Sequence, residues 1–461
     1  MKVIKIGGGC LNGKKTIARI IDLIVEKGKG NILVVSALNG VTDLLVQSIS
    51  SALENEENVP KIISRLKAKH MIVARYLIKQ NSALKEFERD LGRALNKLER
   101  LYYGLNFTKE NTPRIQDVIN SYGERLSALL MSGILRSRKI QSRYRMPHKI
   151  GLITDGKYGD ATADLTKTTK NFKKLLIPFL KKNMVLFIPG FFGVNQSGDI
   201  TTFGRGGSDY SAAVIAVATQ ASILEIWKDV DGFMSADPKC VPGARLIKVL
   251  SYEEAAELAY FGATILHPRT VEPVRIKKLD ITIKNTLNPY SKGTLITARS
   301  SRVKSIIKSV AHDTDLGVLK VHASGVGARP GILALVASQI TQSGLNIKSV
   351  VTSQTCISLL LAQEDLTPGY QAIKSIKPKP YRKIEILKDV ALISIVGEGL
   401  LQNKGIAARC FSAVAENSVN VEMISFGPSR AALYFLTKQK DVNKAVNAIH
   451  NTFFSNKSGT I

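Results

Sequence analysis

TTFGRGGSDYSAA, Thr201 to Ala213, sets three glycines (Gly204, Gly206, Gly207) around Arg205 and follows them with Ser208 and Asp209. The apolar run Ala212 to Ala218 then reads as the start of a buried helix. Such a loop suits an anion. Glycines let backbone N–H groups approach phosphate or carboxylate oxygens, a helix N-terminus adds positive partial charge, and an arginine grips a carboxylate through two parallel hydrogen bonds. A glycine cluster by itself is as readily a plain turn, so the flanking sequence carries the argument. Val185 to Ile188, ended by Pro189-Gly190, reads as a buried strand before the loop, and Ile223 to Trp227 reads as another after the helix. WKDVDGFMSADP, Trp227 to Pro238, then adds an acidic turn with Asp229, Asp231 and Asp237. Strand, glycine loop, helix, strand, acidic turn is the order of an α/β unit that holds its ligand at the carboxyl ends of its strands.

Length and composition bound the rest. A chain of 461 residues accommodates two or three domains, and 44% hydrophobic with 22% charged residues is ordinary for a globular protein. No apolar run approaches the roughly 20 residues of a membrane helix. The chain starts directly on strand-like Val3-Ile4 with no signal-type segment, so a cytoplasmic location is expected. Cys10, Cys240, Cys356 and Cys410 lie far apart with no CxxC pair and no histidine at ligand spacing, so free thiols are expected and no metal site of the protein itself. The formal charge of +28 raises the question of nucleic acid. Much of the excess sits in Lys61 to Arg100 and Arg136 to Lys149, neither interleaved with a run of aromatics, which reads as a solvated basic face and not as a nucleic-acid surface.

From the N-terminus, Gly8 to Lys14 (GGCLNGK) fits a phosphate-binding GxxxxGK, but the next position, which needs a magnesium-holding hydroxyl, is Lys15. Ile32 to Val35 reads as a second buried strand, and Asp43 to about Leu105 as helical, with one face of Lys and Arg. Glu124 stands one turn before an apolar helical run, Ile150 to Asp155 reads as a further strand, and Asn285 to Ile296 as a closing turn. The C-terminal third repeats itself: Gly331-Ile332 recurs as Gly405-Ile406, Asn346-Ile347 as Asn420-Val421 and Leu361 as Phe435. Each repeat reads strand, glycine-started helix, strand, strand, helix, a βαββαβ-like pattern, and a strand over Val303 to Val310 could cross to pair with the second repeat.

Six blocks, in order, resemble aspartate kinases of the amino-acid kinase family: KIGG at Lys5 to Gly8, SALNGVTD at Ser36 to Asp43, SYGERLSALL at Ser121 to Leu130, FGRGGSD at Phe203 to Asp209, DVDG at Asp229 to Gly232 and FGATILHP at Phe261 to Pro268. The resemblance implies an α/β three-layer sandwich with a mainly parallel sheet over residues 1–300, with a helical insertion at about 44–115. Two ferredoxin-like ACT domains, at 301–387 and 388–461, would follow it. It implies phosphorylation of the L-aspartate β-carboxylate with ATP and Mg2+ as cofactors. The expected partners are these small molecules, an amino-acid effector at the ACT domains and a second copy in a homodimer or higher oligomer, with neither nucleic acid nor membrane. A kinase of another amino-acid carboxylate, or a catalytically weak regulatory subunit, is the alternative.

By the same resemblance Lys5 and Asp209 are catalytic, and Thr42, Glu124, Arg205 and Ser208 hold aspartate, Glu124 at its ammonium. Lys5, Gly7, Gly8, Ser36, Lys228, Asp229, Met234, Lys239 and Thr264 line the ATP site, and Ser353 and Gln354 are effector contacts. The family's hydroxyl pair after KxGG is here Gly9 and Cys10. Lys228 stands where many members have Thr, Met234 where many have Tyr, and Thr264 where many have a Lys that neutralises the nucleotide phosphates. Lys348 aligns with an aspartate that takes the effector's ammonium in lysine-regulated members, which points to threonine, another effector or none.

Overall fold

The computed structural model describes residues 1–180, 183–262, 265–298, 306–328 and 330–455. They form two compact units: residues 1–233, 246–256 and 265–301 in the first, residues 234–245, 257–264 and 302–461 in the second.

The first unit opens with β1 (Val3–Ile6), α1 (Gly13–Lys27) and β2 (Ile32–Val35), and then runs through α2 (Val41–Glu54), α3 (Asn58–Leu77), α4 (Asn81–Thr108), α5 (Pro113–Asn120) and α6 (Tyr122–Ser137). There follow β3 (Ser142–Tyr144), α7 (Pro147–Ile150), α8 (Leu165–Leu175), β4 (Val185–Pro189), β5 (Phe192–Val194), β6 (Ile200–Thr202), α9 (Gly207–Ala218) and β7 (Leu224–Lys228). The chain continues through β8 (Val249–Ser251), α10 (Tyr252–Tyr260), α11 (Val271–Lys277), β9 (Ile281–Asn285) and β10 (Thr294–Thr297). Eight strands form one sheet in the order β3-β4-β2-β1-β7-β9-β10-β8. Every pairing in it is parallel except β9 with β10. A mostly parallel sheet must be covered on both faces, and its central strands are accordingly apolar. Alternation along β1 sorts the faces: Ile4 and Ile6 pack into a core with α1, α2, α3, α4 and α6, whereas Lys5 meets α9 on the other side.

α9 is buried at every one of its 12 residues, as its Gly-Ser-Ala-rich sequence permits, since small side chains let it lie close on β1, β2 and β7. The strand expected over Ile150 to Asp155 does not form. Pro147 starts a single helical turn that ends at Gly151 in the left-handed conformation (φ 71°), so the backbone that follows makes only isolated bridges, Ile153 to Val194 and Thr154 to Ala163.

The second unit holds the repeats as two four-stranded antiparallel sheets. β12 (Leu316–His322), α12 (Ile332–Gln342), β13 (Ser349–Thr352), β14 (Cys356–Ala362), α13 (Leu366–Lys374) and β15 (Lys383–Leu387) form the first, in the order β13-β14-β12-β15. β16 (Val390–Val396), α14 (Ile406–Glu416), β17 (Met423–Phe426), β18 (Ala432–Lys438) and α15 (Val442–Phe454) form the second. Its fourth strand is β11 (Ser309–Asp313), which precedes the whole first repeat and pairs antiparallel with β16, giving β11-β16-β18-β17. The crossing expected from 303–310 is thus made by 309–313, and residues 303–305 lie outside the described residues. Gly331 and Gly405, at φ 92° and 82°, cap the equivalent helices α12 and α14, the left-handed turn that explains a glycine at both places.

Candidate active site

The carboxyl ends of β1, β2 and β7 and the N-termini of α6 and α9 converge on one point. β1 ends in Lys5-Ile6 and turns through Gly7, whose N–H donates to the Trp227 carbonyl (3.0 Å). A side chain on Gly7 would have its Cβ 3.3 Å from that oxygen and 3.7 Å from Lys5 Nζ, which is why the position is open backbone. Gly8 lies equally close to Ser36, the buried residue after β2.

Lys5 is 4% exposed and its ammonium is ion-paired with Asp209 Oδ1, in the first turn of α9. Lys228, at the end of β7, donates to Asp209 Oδ2 (3.1 Å). One carboxylate between two ammonium groups leaves a net positive charge at the mouth of a helix N-terminus, an arrangement made for phosphoryl oxygens. Burial pushes the Asp209 carboxyl up, but Lys5 and Lys228 outweigh it and hold it below the usual range. Burial, with Lys228 as a second cation, pushes Lys5 below the usual lysine range. Asp209 spends both oxygens on ammonium groups and so offers no open metal ligand in this arrangement.

Beside this trio stands Glu124, 4% exposed. Ser208 Oγ donates to its Oε1 (3.1 Å), while Oε2 is buried without a hydrogen-bond partner. Burial raises its carboxyl to about 7, against the lowering effect of a backbone hydrogen bond from Ala37 and that from Ser208. A half-satisfied buried carboxylate is costly unless a cation completes it. Gly123 lets it in: a Cβ there would stand 2.8 Å from that of Ala37.

The glycine loop stands between β6 and α9. Gly204 and Gly206 both take left-handed φ (70° and 73°), and a Cβ on Gly206 would lie 2.3 Å from that of His267, so His267 is the wall against which the loop folds. Arg205 is exposed between them, with no hydrogen bond or ion pair among the described residues. Thr42 lies in the first turn of α2, and Asp229 is exposed with its carboxylate 3.4 Å from where a Gly9 Cβ would be. Cys10, in the family's hydroxyl position, is buried and donates weakly to the Trp227 carbonyl (3.7 Å). Lys14, the lysine of GGCLNGK, is exposed over the ring of Tyr76 instead.

Of the remaining sequence-predicted residues, Met234 and Lys239 belong to the second compact unit, the first half-buried and the second exposed. Thr264 lies outside the described residues. Ser353 and Gln354 are exposed in the turn joining β13 to β14, where Gln354 backs onto Gly327.

Two positioning residues escaped the sequence reading. Asp117 on α5, 2% exposed, accepts from the Thr202 N–H (2.8 Å), the Thr202 hydroxyl (2.7 Å) and the Gly159 N–H (2.9 Å), and so fixes the strand that leads into the glycine loop. Arg269 donates to Asp160 Oδ1 (2.6 Å) and to the carbonyls of Phe203 (3.0 Å) and Ala161 (2.7 Å), tying the loop down from the other side. Neither has a local signal, because every partner is distant in the chain.

Known proteins match this picture. The Amino acid kinase family model matches residues 1–285, and an ACT domain model matches residues 393–453. The chain is 30% identical over 467 residues to the bifunctional aspartokinase/homoserine dehydrogenase of Buchnera aphidicola, covering 99% of this chain and 57% of that one. It is 29% identical over 470 residues to the chloroplastic aspartokinase 1 of Arabidopsis thaliana, covering 98% of this chain and 80% of the relative. The crystal structure of E. coli aspartokinase III in complex with aspartate and ADP superposes with a TM-score of 0.83 at 26% identity, covering 99% of this chain and 100% of that one. The match to residues 1–285 takes in the β1 lysine, the α6 glutamate and the glycine loop, and on it the chain belongs to the amino acid kinase family.

Proposed function

We propose that this chain is an aspartate kinase, which transfers the γ-phosphoryl group of ATP to the β-carboxylate of L-aspartate and yields ADP and 4-phospho-L-aspartate. The observation that carries the proposal is Glu124: a buried carboxylate with one free oxygen beside a net-positive Lys5–Asp209–Lys228 trio is built for a substrate with an ammonium group next to a phosphoryl acceptor. The aspartate and ADP complex of the E. coli relative, and the aspartokinase names of the Arabidopsis and Buchnera relatives, support it.

Phosphoryl transfer asks mainly for positioning and charge neutralisation. The aspartate β-carboxylate is already an ionised nucleophile, so no general base is needed. Glu124 and Ser208 take the ammonium side of aspartate, Arg205 swings in to grip a carboxylate, and Thr42 borders the same substrate. Lys5 and the α9 N-terminus stabilise charge on the γ-phosphoryl, with Gly7, Gly8 and Ser36 cradling it, while Asp209 keeps the two lysines in place. Lys228 supplies a second cation at the phosphates, the task for which many relatives use the lysine replaced by Thr264. Asp229 borders the rest of the nucleotide, and magnesium arrives with ATP.

The second unit we propose as an effector module whose ligand sits by Ser353 and Gln354. The E. coli relative is known in complex with lysine. Here the residue aligned with the effector-binding aspartate of lysine-regulated relatives is Lys348, whose Nζ donates to Asp313 Oδ2 (2.8 Å); this weighs against lysine and favours threonine, another effector or none. A cytoplasmic homodimer completes the proposal. The test is ADP release and the appearance of an acyl phosphate by phosphorus NMR with ATP, magnesium and aspartate. Turnover that depends on aspartate supports the proposal, and turnover only with another amino acid replaces the substrate.

A further inference from the structure

The turn that follows the acidic stretch carries groups for which the reaction above has no use. Cys240 and Val241 N–H groups both donate to the Asp237 carbonyl (2.9 Å each), which folds Asp237 and Cys240 onto one tight turn. That turn is laid along β11. Ala236 makes a parallel bridge with Val310, the Val310 N–H donates to the Ser235 carbonyl (2.9 Å), and the Ser309 hydroxyl donates to the Met234 carbonyl (2.7 Å). His312, two residues further along the same strand, is thereby brought to the turn. A ligand atom from each of Asp237, Cys240 and His312 lies within 4.8 Å of the other two, and all three side chains are half-buried. All belong to the second compact unit.

An oxygen, a sulfur and an imidazole nitrogen converging from two segments is the donor set of a borderline-soft cation. Magnesium and calcium prefer oxygen alone. Zinc bonds of about 2.0–2.3 Å put tetrahedral ligands roughly 3.3–3.8 Å apart, so the three atoms need to close by about 1 Å, a side-chain rotation and not a backbone movement. The turn itself is braced: Asn447 Nδ2 donates to the Cys240 carbonyl (2.8 Å), and the Lys239 N–H donates to Asp237 Oδ1 (2.9 Å), which leaves Oδ2 for a ligand bond. Cys240 Sγ donates to Asn443 Oδ1 (3.0 Å), so a fourth polar atom already stands at the thiol.

We propose that Asp237, Cys240 and His312 form a binding site for a divalent cation of the Zn2+ class, with the fourth position taken by water or Asn443 Oδ1. On binding, the Cys240 thiol gives its proton to solvent and coordinates as thiolate, His312 coordinates as the neutral imidazole, and no oxidation state changes. The bound ion staples residues 234–241 to β11 and through it to the second four-stranded sheet. Two sequence segments far apart in the chain supply the ligands, which is why cysteine and histidine spacing could not reveal them. The site stands independently of the reaction proposed above.

The test titrates the full-length, metal-free protein with Zn2+ alone, and with Co2+ as a spectroscopic substitute. One equivalent binds in the micromolar range or tighter, and Co2+ gives the near-ultraviolet charge-transfer band of a cobalt–thiolate bond. Cys240→Ser abolishes the band, and Cys240→Ser and His312→Gln each weaken binding at least tenfold, while Cys356→Ser leaves both readouts unchanged. Alkylation of the wild-type protein needs no variant to fold: saturating Zn2+ slows modification of Cys240 and not of Cys356. Absence of saturable binding, a band that survives Cys240→Ser, or equal alkylation of Cys240 with and without Zn2+ overturns the proposal.

Discussion

Glu124 holds a carboxylate at 4% exposure with one oxygen bonded to Ser208 and the other unpartnered, and burial lifts it from 4.5 to about 7. Between those two values the folded chain holds the proton more firmly than the unfolded chain, so this group makes stability fall as pH rises from about 4.5 to 7. The full shift corresponds to about 3 kcal/mol as an upper figure. Glu124→Gln, which keeps the shape and removes the charge, is therefore expected to be at least as stable as the wild type at pH 8 and to lose that slope, read as Tm against pH. The same substitution raises the KM for aspartate about a hundredfold, because the ammonium loses its counter-charge. In the wild type, KM for aspartate rises as pH drops below 7. Arg205 is exposed and unpaired in the loop, so Arg205→Ala leaves Tm unchanged and raises KM for aspartate about 10–100-fold at little change in kcat; an unchanged KM removes it from the substrate. At this scale a motif singled out Lys5, Glu124 and Asp209, and the structure brings the three side by side. The sequence was silent on Asp117, whose three bonds reach Gly159 and Thr202, because nothing in DVIN distinguishes a loop anchor from a solvated acid.

Strands and helices were legible in proportion to their burial. Ile32–Val35 was read with its observed bounds, β4 differs from the reading by one residue at its end, and β7 is shifted by one residue at each end, since largely apolar runs between turn residues have few other solutions. The misread strand at Ile150–Asp155 shows the limit: its composition suits a strand, but a proline two residues after Arg145 and a left-handed Gly151 set a turn of helix there. The glycine loop illustrates how an element enforces a site. Gly206→Ala combines a left-handed φ of 73° with a Cβ 2.3 Å from that of His267, whereas Gly405→Ala faces a φ of 82° with open space around it. The first should cost well over the roughly 1–2 kcal/mol of backbone strain that the second incurs, and should also raise the aspartate KM. Chemical denaturation of the two variants checks the difference, and equal losses would mean that the His267 wall yields. Asp117→Ala strands the buried Thr202 N–H and hydroxyl, frees the exposed Gly159 N–H, and is expected to lose about 2–3 kcal/mol by the same measurement, with the loop loosened.

On the scale of the whole molecule, the repeat offset revealed two like domains, and the strand expected over 303–310 anticipated their interleaving. The second sheet takes β11 from before the first repeat, in a pairing of residues 309–313 with 392–396 whose register no local pattern encodes. Residues 388–461 alone should consequently fail to give a folded circular dichroism spectrum, with the β16 edge unpaired, and gain one when residues 306–315 are joined to them. A folded spectrum from 388–461 alone would show that β11 is dispensable. The charge of +28 belongs to this scale too: in the proposed reaction it favours the approach of anionic substrates, an effect that salt weakens. The central claim, however, is the reaction, and its most direct measurement traps the acyl phosphate with hydroxylamine in the presence of ATP, magnesium and, in turn, aspartate, glutamate and acetylglutamate. Hydroxamate formed with aspartate and not with the other two is the predicted result. No hydroxamate from any of the three, in protein shown to be folded, would contradict it.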